Sequence, residues 1–239
     1  MAEEKKIYTS FHDIPPREYM YFPKGTIEIG KPGKFSKIEV QHIFISMGLL
    51  TIAFTFSLTR NSLITLFSNL SIFPVGLLMS FLGIITAFFF HELSHKLVAQ
   101  KYGLWAEYRM YPMGLFLALI LAITTGFVFA APGAVMFRGG SREFETGKIA
   151  VSGPLANLVI SAIALFLFFY IFFESSMIKN IVGFICVINA IMATFNLLPF
   201  GPLDGVKIVR WNATVWAVLL IISIFVMARM LLFLPSISF

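Results

Sequence analysis

Charged residues are scarce in this chain of 239 residues, at 13% of the total, whereas soluble proteins average about a quarter. The single cysteine, Cys186, excludes both an internal disulfide and a thiolate metal cluster. The formal net charge is +6, but the lysines and arginines lie in short segments beside apolar runs, so no basic face is left for nucleic acid. These shortages argue against a soluble enzyme, a disulfide-stapled domain and a DNA-binding protein.

Long apolar runs are what the chain has instead, since 58% of its residues are hydrophobic. A helix of about 20 apolar residues matches the hydrocarbon thickness of a bilayer, about 30 Å. The sequence therefore predicts an all-α polytopic membrane protein with five to six transmembrane helices. Residues 1–39 are predicted to form a cytoplasmic or interfacial segment before the membrane-embedded domain, residues 40–239, and no cleavable leader is visible. The predicted spans cover residues 40–59, 74–98, 154–173, 177–199 and 211–234, and a sixth apolar stretch covers residues 113–137.

The positions of the positive charges predict the orientation of the chain, because loops rich in lysine and arginine stay in the cytoplasm. Of the 18 lysines and arginines, seven precede the first span, six lie around the connection between the second and third, and two follow the fourth. Only Arg60 and Lys179 lie in the alternate loops. We therefore expect a multi-pass protein of the cell membrane with a cytoplasmic N-terminus and five crossings. Residues 113–137 must then return to the side they left, as a re-entrant or short β-hairpin element or as two packed short crossings.

The segment His91-Glu92-Leu93-Ser94-His95 follows an apolar run inside the second predicted span. Residues four apart on a helix point the same way, so His91 and His95 can both bind one metal ion. Glu92, one position further round the helix, can take a proton from a metal-bound water and pass it to the leaving amine. Ionisable groups at this depth are costly and are usually functional. The pattern predicts a metal centre with Glu92 as the general base.

A catalytic zinc site ordinarily has three protein ligands, so a third must come from elsewhere. Asp204 lies in a segment with two prolines and two glycines, residues 196–205, and an unwound chain there could bring its carboxylate to the ion. The alternative is an ordinary span that ends in a turn. The other acidic candidates lie in the charged loop or, for Glu174, at the outer end of the third span. Asp204 and the histidines share one depth near the cytoplasmic boundary, which favours Asp204.

Asn157 lies at the same depth, near the start of the third predicted span. Ser152 or Gly153 could cap that helix, and proline suits the first helical position, which Pro154 would occupy. The Asn157 amide could donate to the oxygen that becomes negative when a peptide carbonyl is attacked. The alternative role is association of helices through its hydrogen bonds.

These motifs resemble those of the site-2 protease family of intramembrane zinc metalloproteases. The likeness rests on residues 91–95, on the Gly-Pro-x-x-Asn element ending at Asn157, and on the Asn-x-x-Pro and Leu-Asp-Gly elements within residues 196–205. It covers residues 74–210 and implies one zinc ion held by His91, His95 and Asp204, with Glu92 as catalytic acid and base and Asn157 as an aid to substrate or oxyanion binding. It also implies cleavage of transmembrane segments of other proteins, in regulated intramembrane proteolysis. The stretch 113–121 looks longer than the family's usual connection.

A helical substrate must unwind before attack, because its own helix occupies the backbone carbonyls. Extended peptides often add to a strand edge, and residues 131–137 are a candidate edge, with a packed hairpin tip as the alternative. The partners expected are a transmembrane protein substrate and the lipid bilayer. Two other functions stay open: a prenyl-protein type of membrane metalloprotease, which recruits a glutamate from a later helix, and a non-catalytic transporter or partner-binding homologue.

Overall fold

The computed structural model describes residues 34–59, 73–128, 132–138, 141–171 and 177–232. Five of its helices are long and apolar enough to cross a membrane, judged by length and composition. The predicted all-α polytopic membrane fold is therefore confirmed. Most of the predicted segment 1–39, the loop that holds Arg60, and Glu174 lie outside the described residues. The five candidate spans are Lys37–Thr59, Phe73–Lys101, Glu143–Ile171, Met177–Asn196 and Ala213–Leu231.

Helix α1, Lys37–Thr59, begins three residues before the predicted start. The second span is built from α2, Phe73–Ile84, a π-helical segment, Ile85–Phe89, and α3, Phe90–Lys101. π-Helical turns are rare and occur often at functional sites. This one lies directly before the predicted metal motif, and the sequence had given no sign of it.

The connection between the second and third spans contains two antiparallel strands and a short helix. Strand β1, Trp105–Met110, pairs with β2, Gly133–Arg138, and α4, Pro112–Thr125, lies between them. Met110 lies opposite Gly133, so the chain comes back to the point that it left. At 14 residues, α4 is about 21 Å long and too short to cross the hydrocarbon layer. The predicted returning element is thus confirmed, while its first strand had not been predicted.

Helix α5, Glu143–Phe166, continues as a π-helical segment, Leu167–Ile171. The predicted start at Pro154, with Ser152 or Gly153 as cap, is wrong, because Pro154 lies inside the helix. The first turn is held instead by Arg142, whose backbone N–H donates to Glu145 Oε2 at 3.0 Å. The resulting helix of 29 residues exceeds the hydrocarbon thickness, so the charged turns at its start project beyond it.

The last part of the chain breaks twice before its final span. Helix α6, Met177–Asn196, gives way to an irregular segment, and α7, Asp204–Trp211, follows. A second break at Asn212, whose side chain accepts from Val215 N, starts α8, Ala213–Leu231. The fifth span therefore begins at Ala213 rather than at residue 211. Helix α5 packs against α3, α6 and α7, and so it touches every element that carries a predicted metal ligand.

Candidate metal centre

Two elements distant in the sequence carry the predicted ligands. His91 and His95 lie one turn apart on α3, and Asp204 is the first residue of α7. The segment before α7 turns so tightly that a side chain at Gly205 would clash with the backbone carbonyl of Leu197. The predicted unwinding between residues 196 and 205 is confirmed, and it brings the aspartate to the histidines.

The three side chains are buried and meet at one point. Asp204 Oδ2 lies 3.4 Å from His91 Nε2 and 3.0 Å from His95 Nε2, and the two Nε2 atoms are 3.0 Å apart. In a tetrahedral site with bonds of about 2.0 to 2.1 Å, ligand atoms lie about 3.3 Å from one another. The triangle of His91, His95 and Asp204 therefore has the dimensions of three corners of a zinc site.

Hydrogen bonds on the far side of each ring fix the histidine tautomers. His91 Nδ1 lies 2.6 Å from Asn157 Oδ1, and His95 Nδ1 lies 2.8 Å from the carbonyl oxygen of Ile149. Both oxygens can only accept, so each Nδ1 carries the proton and each Nε2 keeps its lone pair. Donation of the second ring N–H to an oxygen is the usual arrangement behind a metal-binding histidine.

Three acceptor atoms thus face one another at 3.0–3.4 Å, which is repulsive unless a cation lies between them. Asp204 is buried and contributes one carboxylate oxygen, Oδ2, to this group of acceptors. Its other oxygen, Oδ1, lies 3.3 Å from Lys207 Nζ, which leaves Oδ2 to the histidines. Two neutral imidazoles and one carboxylate suit zinc and leave a net charge of +1. The residues present therefore fit a zinc ion.

Glycine is required where α5 approaches the two histidines. A side chain at Gly153 would clash with the rings of both His95 and His91. The sequence had marked Gly153 only as a possible helix cap. Its role in the structure is to let the α5 backbone pass close beside both rings, while the Ile149 carbonyl, one turn earlier on α5, accepts from His95.

Asn157 is fully buried, and its amide is used entirely within the protein. Oδ1 faces His91, while Nδ2 donates to the Ala87 carbonyl at 2.9 Å and to Asn189 Oδ1 at 2.9 Å. Both amide hydrogens are taken, so this arrangement leaves none for an oxyanion. In this structure Asn157 contacts His91, Ala87 and Asn189, and its oxyanion contact stays a prediction.

The network continues to a residue that sequence reasoning missed. Asn189 Nδ2 donates to Thr86 Oγ1 at 3.0 Å and to the Ile185 carbonyl at 2.9 Å. Thr86 belongs to the π-helical segment, and so does Ala87, whose carbonyl binds Asn157. An amide in the middle of an apolar span was the available signal for Asn189, because such groups need partners.

Glu92 is buried beside the ligands, on the side that faces the strands. Its Oε2 accepts from the backbone N–H of Val135, in β2, at 3.0 Å. The predicted strand at residues 131–137 corresponds to β2 from Gly133 onward, since Ala131 lies outside the described residues. The arrangement can therefore hold a metal ion next to a carboxylate that could act as a base and next to the edge of a strand.

Curated proteins similar to this chain carry zinc metalloprotease names. One from Methanocaldococcus jannaschii, named provisionally as zinc metalloprotease MJ0611, is 38% identical over 186 residues, which is 77% of this chain and 90% of that protein. YwhC of Bacillus subtilis, also named provisionally as a zinc metalloprotease, is 28% identical over 147 residues, 53% of this chain and 65% of that protein. Zinc metalloprotease MJ0392 of M. jannaschii is 31% identical over 127 residues, 50% of this chain and 30% of that protein.

No family model matches the chain, and no solved structure matches it either. The relatives imply zinc, and the donor set of His91, His95 and Asp204 agrees with that metal.

Proposed function

Because the chain belongs to the family of zinc metalloproteases represented by these relatives, we propose that it is an intramembrane endopeptidase. It hydrolyses peptide bonds in or near the transmembrane segments of other membrane proteins, and it holds one zinc ion per chain between His91, His95 and Asp204. The proposal rests on one observation: the three donor atoms lie together, and the two from histidine belong to a helix long enough to span a bilayer. The resemblance of the motifs to site-2 proteases supports regulated intramembrane proteolysis as its role.

Zinc bound here would lower the pKa of a water molecule and polarise the substrate carbonyl. The Glu92 carboxylate takes a proton from the attacking water and delivers it to the leaving amine. Asn157 and the Ile149 carbonyl keep the two imidazoles in the tautomer that presents Nε2. Burial of all these groups excludes bulk water and strengthens their electrostatic interactions.

The substrate is proposed to add as a strand to the outer edge of β2. Tyr108 N and the Ala106 carbonyl of β1 bind groups outside the sheet. Tyr108 and its partner Val135 are therefore a non-hydrogen-bonded pair, in which the N–H and C=O groups of each residue point away from the opposite strand. The outward groups of β2 are therefore those of Gly133, Val135 and Phe137. The N–H of Val135 already lies against Glu92, so a peptide paired at this edge would lie beside the base.

The prenyl-protein type of metalloprotease is less well supported. It would take its third ligand from a glutamate, whereas among the described residues the group able to hold a metal contains Asp204. Zinc content after Asp204→Ala and after Glu174→Ala separates the two proposals. We expect only Asp204→Ala to lose zinc.

The central test is Glu92→Gln in the purified, zinc-loaded protein. Loss of the base should lower cleavage of a labelled transmembrane substrate by about 100-fold to 10,000-fold, while zinc content stays at the wild-type level. Glu143→Gln, an exposed carboxylate at the start of α5, is the matched control and should cleave normally. Unchanged cleavage by Glu92→Gln would refute the mechanism, and wild-type protein that cleaves nothing but moves a cargo would favour a transporter.

A further inference from the structure

A second buried cluster lies beside the metal centre and has no part in holding the ion. Lys96 Nζ lies 2.5 Å from Glu39 Oε2, and the two side chains are only 2% and 0% exposed. Lys96 follows His95 on α3, and Glu39 lies in the first turn of α1. Burying two charges costs several kcal/mol of desolvation for each ion, so such a pair is weak evidence for stability by itself.

Each member of this pair also binds the backbone of β1. Lys96 Nζ donates to the Ala106 carbonyl at 3.2 Å, and Glu39 Oε1 accepts from Tyr108 N at 3.0 Å. Further along the same edge, Met110 N donates to His42 Nδ1 at 3.4 Å. The outer edge of β1 is thereby occupied at three consecutive outward positions. A peptide would have to displace all three contacts there. Among the described outward groups of β2, only Val135 N is bound in this way, by Glu92, so the outer edge of β2 is the one with groups left for pairing.

The contacts close into a ring through the sheet. Tyr108 lies directly opposite Val135, and Val135 N donates to Glu92 Oε2 at 3.0 Å. Glu92 and Lys96 are four residues apart on α3 and so point to the same side of that helix. Helix α3 therefore contacts the outer edge of β2 through Glu92 and the outer edge of β1 through Lys96. Glu39 of α1, the partner of Lys96, binds the same edge of β1.

Side-chain packing inside this ring leaves a small gap. A small cavity is lined by Glu92 and Val135 together with Glu39, Lys96 and Tyr108. Polar contacts, rather than close packing alone, therefore fix the distance between α3 and the strands. Hydrogen-bonded and charged contacts have a definite length and direction, which packing across a cavity does not impose.

We propose that Glu39 and Lys96 are positioning residues for the reaction, forming a clamp that sets the outer edge of β2 relative to Glu92 and the metal ligands. The proposal rests on the proposed function, in which the substrate pairs with that edge. A shift of about 1 Å in a bound peptide can cost about 100-fold in rate, so a loosened clamp lowers kcat without removing the metal. Zinc binding is independent of the clamp, because Asn157 and the Ile149 carbonyl orient the ligands from α5.

Two double variants differ only in whether residue 39 can accept a hydrogen bond from Tyr108 N in β1. In Glu39→Gln with Lys96→Met, an amide oxygen can still accept from Tyr108 N. In Glu39→Leu with Lys96→Met, no acceptor remains, and neither variant leaves a buried unpaired charge. The full-length zinc-loaded proteins are compared for kcat, KM, zinc content and hydrogen exchange of the Tyr108 amide, with a labelled transmembrane substrate.

We expect the leucine variant to lose about tenfold or more in kcat, with wild-type zinc content and faster exchange at Tyr108. The glutamine variant keeps an acceptor for Tyr108 N but loses the bond from Lys96 to the Ala106 carbonyl, so its kcat should fall by a smaller factor of about threefold. The control is Ser57→Ala, which removes a hydrogen bond from α1 to the Gly126 carbonyl far from the clamp, and its kcat should not change.

Equal kcat in the two double variants would overturn the clamp, and so would loss of zinc along with activity. If the leucine variant does not fold, the glutamine variant still decides the matter, since wild-type kcat with unaltered Tyr108 exchange would leave no role for Lys96. Failure of the wild type to cleave any transmembrane substrate would instead count against the proposed function.

Discussion

Single hydrogen bonds at the candidate metal centre decide which atoms would face an ion. His91 and His95 could each present either ring nitrogen, and the acceptors behind them select Nε2 in both. Similarly, Lys207 holds one oxygen of Asp204 and leaves the other for the ligand triangle. The chemistry of the site therefore depends on residues that never touch the metal.

Asn157→Ala is predicted to weaken zinc binding. Without Oδ1, the Nδ1 proton of His91 loses its acceptor and the ring can rotate, so zinc affinity should fall by about 10-fold to 100-fold. Competition with a chelator measures this affinity.

Ser161→Ala, one turn further along α5, is the matched control. Its hydroxyl donates to the Cys186 carbonyl and has no contact with the ligands, so zinc affinity should not change. Wild-type zinc affinity together with lost cleavage in Asn157→Ala would contradict the orienting role and favour the oxyanion contact.

At the scale of the elements, β2 lies beside α3, which carries the predicted ligands, and it is the strand to which we propose that the substrate adds. One edge of β2 pairs with β1, and the other faces Glu92. Gly133 makes the start of the strand possible, because a side chain there would clash with the Tyr108 hydroxyl and with the Arg109 carbonyl. Burial raises the pKa of Tyr108, so its hydroxyl stays protonated and donates to the Pro132 carbonyl at 2.8 Å.

Substrates that unwind easily are predicted to be cut faster. A glycine costs a helix about 1 kcal/mol relative to alanine, so each one placed at the cleavage site of a leucine-rich span should raise kcat/KM about fivefold. Proline or asparagine should act in the same direction. Rates measured on a matched series in detergent test this prediction, and equal rates for the uniform leucine span would contradict strand addition.

Element boundaries show where local sequence signals mislead. Proline is favoured at the first position of a helix, which made Pro154 a plausible start, yet α5 begins at Glu143. The packing of α5 against α3 and α7 supports a helical segment before Pro154 that local preference would have left outside the helix. As a result, Asn157 lies well inside α5 and in a buried hydrogen-bond network, and not near the start of the helix as predicted.

At the scale of the whole molecule, the described residues contain five candidate spans and a returning β1–α4–β2 segment, which agrees with an odd number of crossings. The positive charges then predict that the first turns of α5 lie in the cytoplasm and that the start of α6 lies outside.

Labelling of single cysteines tests this topology. In a Cys186→Ala background, Met177→Cys should react with an impermeant maleimide added to intact cells, because Met177 is exposed at the proposed outer end. Lys101→Cys and Lys148→Cys, exposed at the opposite end, should react only after the membrane is opened. The reverse pattern would invert the predicted orientation.

The sequence by itself determined the membrane class, a range of five to six spans and the candidate ligands. Hydrophobic length follows from composition, and the spacing of His91 and His95 follows from the helical repeat, so both are local properties of the chain. Asp204 could also be inferred, because the prolines and glycines around it exclude a regular helix.

Only the tertiary structure decided how these groups work together. The contact of Asn157 with His91, its link to Asn189, the Lys96–Glu39 pair and the bond from Tyr108 N to Glu39 all join residues 32 to 70 positions apart. Such contacts leave no periodic trace in the sequence, because a buried polar group needs a partner but does not specify which one until the helices pack.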